Sequence, residues 1–310
     1  MSPVRRLLPS DVTHIARRVA DRLDEHARRE PLVSNRFHRV EFEQSLLGAN
    51  DPTWVEDNNG RFAGHLFGAI VDEPRGGRQA FTGPDGWSYE FDQNLEALLD
   101  VAEEYWRSSD VVAHVVWVPA GAEVEAWIAR GYEVKSVRGG LEINTSTLTD
   151  PSQYADESLS IRRGTLEDLV TILAFEAMID VAQGTDVEAL SEAVRAQEEE
   201  DLRETLEDPE TISYFLDHFG VSVAHCLTFP LPALRGTHDN SLYVSDVAVE
   251  PASRGRGYGK YIVTTALNDA AEAGYQYAEV RWHVSNLKAQ VLWSNFGFRP
   301  TYAQLRRTLN

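Results

Sequence analysis

Leu242-Tyr243-Val244-Ser245-Asp246-Val247-Ala248-Val249 is followed, after Glu250 and Pro251, by Arg254-Gly255-Arg256-Gly257-Tyr258-Gly259-Lys260. The first eight residues form an apolar run of strand type, which Glu250 and Pro251 close. Beyond the glycines, Ile262, Val263, Ala266, Leu267 and Ala270 recur at helical spacing. The order is therefore strand, glycine-rich turn, helix N-terminus. The first N–H groups of a helix have no intrahelical acceptor and carry partial positive charge. Glycine admits positive φ and lets a ligand approach the backbone. Such a turn is a cradle for a diphosphate, with Arg254, Arg256 and Lys260 adding charge.

Two common phosphate loops do not fit. No Gly-Lys-Ser/Thr closes the turn, which excludes a Walker A loop, and the spacing lacks the two-residue gap of a dinucleotide fingerprint. The pattern Arg254-x-x-Gly257-x-Gly259 does fit another family, as does the stretch downstream of α-helical spacing. There a second strand over 277–284 leads to Asn286, Ala289, Leu292, Trp293, Phe296, Gly297 and Phe298. Together the two motifs resemble the GNAT N-acetyltransferase superfamily. The resemblance implies a domain that binds acetyl-coenzyme A between two splayed strands and moves its acetyl group to a primary amine. It covers about the last seventy residues closely and the remainder by layout.

The two halves of the chain echo each other. Arg5-Arg6 and Asp11 recur as Arg162-Arg163 and Asp168; Gly60 and His65 as Gly220 and His225; Trp127 and Gly131-Tyr132 as Trp293 and Gly297-Phe298. Three pairs in order at nearly constant spacing indicate a tandem duplication. The expected fold class is α/β (α+β). It comprises two GNAT-like domains, each a mixed, mostly antiparallel sheet with splayed central strands flanked by helices. Their expected bounds are 1–148 and 159–310, joined by a linker at 149–158. In the first half Asp11 is the expected N-cap of a helix reaching about residue 28, and Asn58-Asn59-Gly60 the turn of a hairpin. Where that half should carry its phosphate turn it reads Ser88-Tyr89-Glu90-Phe91-Asp92-Gln93-Asn94. There is no glycine, and two carboxylates would repel a diphosphate. The first copy is therefore expected to be degenerate, with only residues 159–310 binding acetyl-coenzyme A.

Length, charge and cysteine content narrow the class further. At 310 residues the chain can hold two ordinary domains, and no run of eighteen apolar residues suggests a membrane span. Its lone cysteine, Cys226, excludes an internal disulfide, and residues 1–8 lack the apolar content of a signal peptide. These features point to the cytoplasm. A net charge of −20 disfavours nucleic acid as a partner and would favour a cationic amine. The run Glu198-Glu199-Glu200-Asp201 fits that attraction, and fits a solvated helix face better. No histidine or cysteine spacing suggests a metal site. A homodimer remains open.

The resemblance also implies roles for residues. Backbone groups of Val247, Ala248 and Val249 would bond the pantetheine arm, with the Val247 N–H facing the carbonyl oxygen as it gains charge. The segment Arg254, Gly255, Arg256, Gly257, Tyr258, Gly259, Lys260 would hold the diphosphate. Asn286 would bond the pantetheine arm, Lys288 would contact the phosphates, and Trp293 would flank the cofactor. Two departures stand out. Trp293 occupies the place of the family's common tyrosine acid, and an indole is a poor acid. A coenzyme A thiolate, with a pKa near ~8.5, can leave without one. Arg281 stands where protein N-terminal acetyltransferases carry a glutamate base, and arginine accepts no proton near neutrality. The remaining candidate bases are His283, Asp246 and Tyr243. These departures leave a second class open, a non-catalytic acyl-coenzyme A sensor or scaffold.

Overall fold

The computed structural model describes residues 4–58, 60–144, 148–232 and 236–309. Asn59 of the expected hairpin turn, residues 145–147 ahead of the expected linker and residues 233–235 lie outside them. The chain forms two compact units. One comprises the described residues of 1–137, 234–237 and 300–310; the other those of 138–233 and 238–299.

The first unit begins β1 (Val4–Arg6), α1 (Val12–Arg29), α2 (Arg39–Gly48), β2 (Thr53–Asn58) and β3 (Arg61–Phe67). It continues β4 (Ala69–Glu73), β5 (Gly77–Thr82), β6 (Trp87–Tyr89), α3 (Asp92–Ser108), β7 (Ala113–Pro119) and α4 (Glu123–Ile128). Strand β8 (Glu133–Glu142) comes next. The second unit then runs β9 (Leu159–Arg163), α5 (Leu169–Gln183), α6 (Glu192–Glu207), β10 (Ile212–His218) and β11 (Val221–Leu231). After these come β12 (Ser241–Val249), α7 (Tyr258–Glu272), β13 (Tyr277–His283) and α8 (Leu287–Phe296). The chain ends with β14 (Arg299–Thr308), whose residues from 300 onward fold with the first unit.

In the first unit, Ile15, Ala16, Val19 and Leu23 give α1 a buried stripe that packs on Phe42 and Leu46 of α2 and on Val55 of β2. A larger core gathers Leu95, Leu98, Leu99 and Trp106 of α3 against Trp87, Trp127 and Leu305. The sheet order β1-β2-β3-β6 is antiparallel throughout, and β4-β5-β7-β14 continues separately. In the second unit β9-β10-β11-β12 is antiparallel and β12-β13 parallel. Its core joins Leu169, Ile172 and Phe175 of α5 to Phe215, Leu227 and Ala248.

The duplication is visible as physical chemistry. Arg5 grips Asp11 at 2.6 Å and Asp57 at 3.0 Å, and Arg162 grips Asp168 at 2.9 Å and Asp217 at 3.1 Å. Both hairpins shift register at the second aspartate, between Glu56 and Asp57 and between Leu216 and Asp217. His65 bonds Ser88 at 2.7 Å and His225 bonds Ser213 at 2.9 Å. Burial pushes these imidazoles down to about 3 and about 4, so both are neutral parts of the core. Asp11 stands at the N-cap of α1 as expected, but its side chain bonds elsewhere. Its carboxylate accepts the Leu8 N–H at 2.7 Å as well as the Arg5 guanidinium, and makes no side-chain cap on α1.

The units differ from the expected halves at their ends. The described residues of 300–310 fold with the first unit and those of 138–148 with the second. Strand β14 pairs antiparallel with β7 from Tyr302 opposite Pro119 to Thr308 opposite Ala113. Within the expected linker, Asn268 of α7 donates to the Thr149 carbonyl at 3.1 Å and Tyr154 lies against Tyr261. Leu305 is fully buried in the first unit's core although it lies near the end of the chain. Leu305→Ala should therefore cost that unit about 2–5 kcal/mol. The measurement is urea unfolding followed by tryptophan fluorescence. An unshifted transition would detach the last strand from this core.

Candidate functional site

Strands β12 and β13 are hydrogen-bonded only over Ser241–Val244 and Tyr277–Val280. Both then continue, to Val249 and His283, with no further rungs between them. On its other side β12 keeps its antiparallel partner, with Cys226 opposite Val247 and Ala224 opposite Val249. The register slips between Cys226 and Thr228, which leaves an extra residue of β12 at Ser245-Asp246. The β12 edge that turns toward β13 thus loses its sheet partner beyond Val244. An unpaired strand edge facing a cleft can take an extended, hydrogen-bonding ligand as an added strand.

A cleft of about 680 Å³ opens there. From β12 it is lined by Val247, Ala248 and Val249, and from the turn by Arg254, Gly255, Gly257, Tyr258, Gly259 and Lys260. Helix α8 and its N-cap contribute Asn286, Lys288 and Trp293. Of the residues expected at the cofactor, only Arg256 does not line the cleft; it lies exposed on the turn. Ala289 and Leu292 of α8, named in the downstream motif without a role, also line the cleft, whereas sequence reasoning missed the whole opposite wall, Met178, Ile179 and Ala182 of α5. These apolar residues look like ordinary core positions in sequence. The available signal was their clustering on one helical face with little to bury against.

The turn shows why glycine is needed. Gly255 and Gly257 hold φ of 80° and 84°, where a side chain is strained. Gly257 is the N-cap of α7, and no side chain caps that helix. Its first backbone bond runs from the Tyr261 N–H to the Gly257 carbonyl. The N–H groups of Tyr258, Gly259 and Lys260 are left without intrahelical partners at the mouth of the cleft. Arg254 stiffens the turn by donating from Nε to the Val249 carbonyl at 3.0 Å.

Helix α8 closes the site. The Asn286 side-chain oxygen accepts the Ala289 N–H at 3.1 Å and so caps the helix, leaving its amide N–H groups for a ligand. Gly297, at φ 89°, ends it in the left-handed conformation. Trp293 is buried and meets Phe298 edge-on at 5.3 Å. Its indole is a wall and a packing element.

None of the three candidate bases lines the cleft itself. His283 sits at the end of β13 and bonds the Ser285 hydroxyl at 3.0 Å. Burial raises the Tyr243 hydroxyl above its ordinary value, away from neutrality, against the opposing pull of Arg281. Burial also raises the Asp246 carboxyl, and the Asp180 carboxylate of α5 adds to this; the Ser245 hydroxyl and Arg281 oppose it. The Ser245 hydroxyl donates to Asp246 at 2.8 Å. Asp246 occupies the bulge directly before the Val247–Val249 wall of the cleft.

In the first unit, described residues fill the corresponding gap. Matching Arg5, Asp11 and Asp57 to Arg162, Asp168 and Asp217 puts Trp87 at the place of Val247 and Arg22 at the place of Ile179. The sheet registers agree, since Leu66 opposite Trp87 corresponds to Cys226 opposite Val247. Strands β6 and β7 are not paired, but the Trp87 indole N–H donates to the Trp117 carbonyl of β7 at 3.0 Å. Arg22 stacks on the same indole at 3.9 Å, and Trp127 meets it edge-on at 5.6 Å. In sequence, the degeneracy of this copy rests on missing glycines and on Glu90 and Asp92. The structure adds a stronger cause, a tryptophan lying across the gap between the strands.

Comparison with known proteins bears on this arrangement. The profile of the Acetyltransferase (GNAT) family matches residues 176–298. A search of curated proteins finds no significant match. A GCN5-related N-acetyltransferase from Sphaerobacter thermophilus is similar in structure, with a TM-score of 0.65 and 14% identity over 99% of this chain and 95% of that one. A tandem GNAT protein from the clavulanic acid biosynthesis pathway gives 0.55 and 16%, over 99% and 98% of the two chains. A GNAT-family acetyltransferase from Colwellia psychrerythraea gives 0.52 and 15%, over 99% of each. At these identities the likeness concerns the fold, and it extends over both halves. The parted strands and the uncapped glycine turn both lie inside residues 176–298, the segment that the GNAT profile matches, and the chain as a whole has the fold of two GNAT-like domains.

Proposed function

We propose that the second unit transfers an acetyl group from acetyl-coenzyme A to a primary amine of a small, cationic molecule. The observation that carries this reading is the open gap between β12 and β13, ending at an uncapped glycine turn. An extended amide-bearing arm suits the strand edge, and a diphosphate suits the free N–H groups of Tyr258, Gly259 and Lys260. The thioester supplies an activated acyl carbon. The chain's own residues would hold it against Val247, whose N–H is the candidate donor to the carbonyl oxygen as charge develops. Met178, Ile179 and Ala182 would exclude water from that side.

The acceptor amine must lose a proton to attack. Asp246 is the candidate base, since burial and Asp180 move its carboxyl upward toward the working range of a base. The same two carboxylates would favour a cationic acceptor. The ammonium form first gives one proton to solvent; the neutral amine nitrogen then bonds the acyl carbon, the carbon–sulfur bond breaks with its electron pair on sulfur, and the second proton shed by the nitrogen passes to Asp246. With Trp293 in the acid position, the sulfur leaves as thiolate. That tryptophan also supports a second reading, a sensor that binds the cofactor without turnover. Thiol release from acetyl-coenzyme A across a panel of amines separates the two, since a sensor gives binding and no thiol.

Gly257→Val should weaken coenzyme A binding by tenfold or more in calorimetry, with unchanged circular dichroism, because a β-branched residue is strained at positive φ. The wild-type protein should bind one equivalent, since Trp87 fills the first unit's gap. Unchanged affinity in the variant, or two equivalents, would remove the assignment. For the base, a rate limb should appear as pH falls through a pKa above the ordinary carboxylate range, because protonated Asp246 cannot accept the amine proton. Asp246→Asn should lower kcat by about 10²–10⁴ and abolish that limb. A variant that retained the wild-type profile would pass the role to another group.

A further inference from the structure

The first unit carries a second cleft, of about 730 Å³, between the N-terminal half of α1 and the β2–β3 hairpin. Its basic lining is Arg5, His14, Arg17, Arg18 and Arg61, its acidic lining is Asp11 and Asp57, and its apolar lining includes Leu8, Val55 and Phe62. Arg5 is engaged with Asp11 and Asp57, the ion pairs that both units share. The other four are not shared. The same matching of the two halves places Thr171, Ala174, Phe175 and Val221 at the positions of His14, Arg17, Arg18 and Arg61. The duplicated fold therefore forms without these charges.

His14, Arg17 and Arg18 stand at i, i+3 and i+4 on α1, so both arginines neighbour His14 along the side of the helix that lines the cleft. Among the described residues Arg17 has no carboxylate partner. One carboxylate, Glu90, serves both Arg61, through a short ion pair, and Arg18 at 4.0 Å. A chain of net charge −20 thus concentrates positive charge in one concave, partly apolar place. Guanidinium groups present paired donors suited to phosphate oxygens, and the volume is that of a small-molecule site.

We propose that this cleft binds a small organic phosphate monoester. The phosphate would be held by Arg17, Arg18 and Arg61, and the carbon body would rest on Leu8, Val55 and Phe62. Glu90 occupies two of those arginines until the ligand competes for them. A concave site on a strongly acidic protein suits a small anion better than a nucleic-acid duplex, which the overall charge repels. This site lies in the first unit and is independent of the acyl-transfer reading.

The test is calorimetry of the full chain at low salt with phenyl phosphate as probe. Four proteins are compared: wild type, Arg17→Ala/Arg18→Ala, Glu90→Gln and Gly257→Val. Alanine suits the exposed face of α1, and circular dichroism checks that the helix is kept. One equivalent is expected to bind wild type. The double arginine variant should lose at least tenfold in affinity, Glu90→Gln should gain severalfold, and Gly257→Val should be unchanged. Absence of binding to wild type, or equal affinity in the double arginine variant, would overturn the proposal. So would a loss confined to Gly257→Val, which would place the anion at the α7 turn. Tighter, Arg17-dependent binding of a twenty-base-pair duplex would replace the small ligand by nucleic acid.

Discussion

The second unit depends on one interruption, the parting of two parallel strands after Val244 and Val280. Up to that point β12 is an ordinary interior strand. Beyond it, one edge has no sheet partner, and the bulge at Ser245-Asp246 lies beside the opening. Backbone groups inside a fold need hydrogen-bond partners. The rest of the site can be understood as what keeps this edge open and useful. Helix α5 walls one side with apolar residues, α8 the other with Trp293, and the Gly255–Gly257 turn brings uncapped N–H groups to the end.

The first unit shows the same interruption put to another use. Its strands β6 and β7 are apart as well, yet Trp87 reaches across to the Trp117 carbonyl and carries Arg22 on its face. A large side chain fills the gap that the second unit leaves open. The shared ion pairs of Arg5 and Arg162 and the paired bulges show that the scaffold is common. The units diverge in which side chains enter the gap, and in the charges that only the first places over α1.

Much of the second unit's site could be read in order along the chain. Strand, glycine turn and helix are local, and the positive φ at Gly255 and Gly257 is a property of single residues. Asn286 and Gly297 bracket α8 by capping chemistry that also acts over a few residues. Met178, Ile179 and Ala182 could not be found this way, because facing a cleft and facing a core require the same apolar residue types. Arg256 was expected in the cleft and lies outside it, since spacing within a turn does not fix which side chains face inward.

The strands at 133–142 and 299–308 were not anticipated, and the division of the chain was expected to fall at a linker. Strand β14 finds its partner β7 some 190 residues earlier in the chain, a pairing with no local signature. By itself, then, the sequence determined the secondary elements around the glycine turn, the duplication and the resemblance of residues 176–298 to the GNAT profile. The tertiary structure alone decided which gap stays open, which carboxyl is raised by its neighbours and where the last strand belongs. The reason is that local backbone preferences act within a few residues, while burial, charge proximity and strand pairing join residues far apart in the chain.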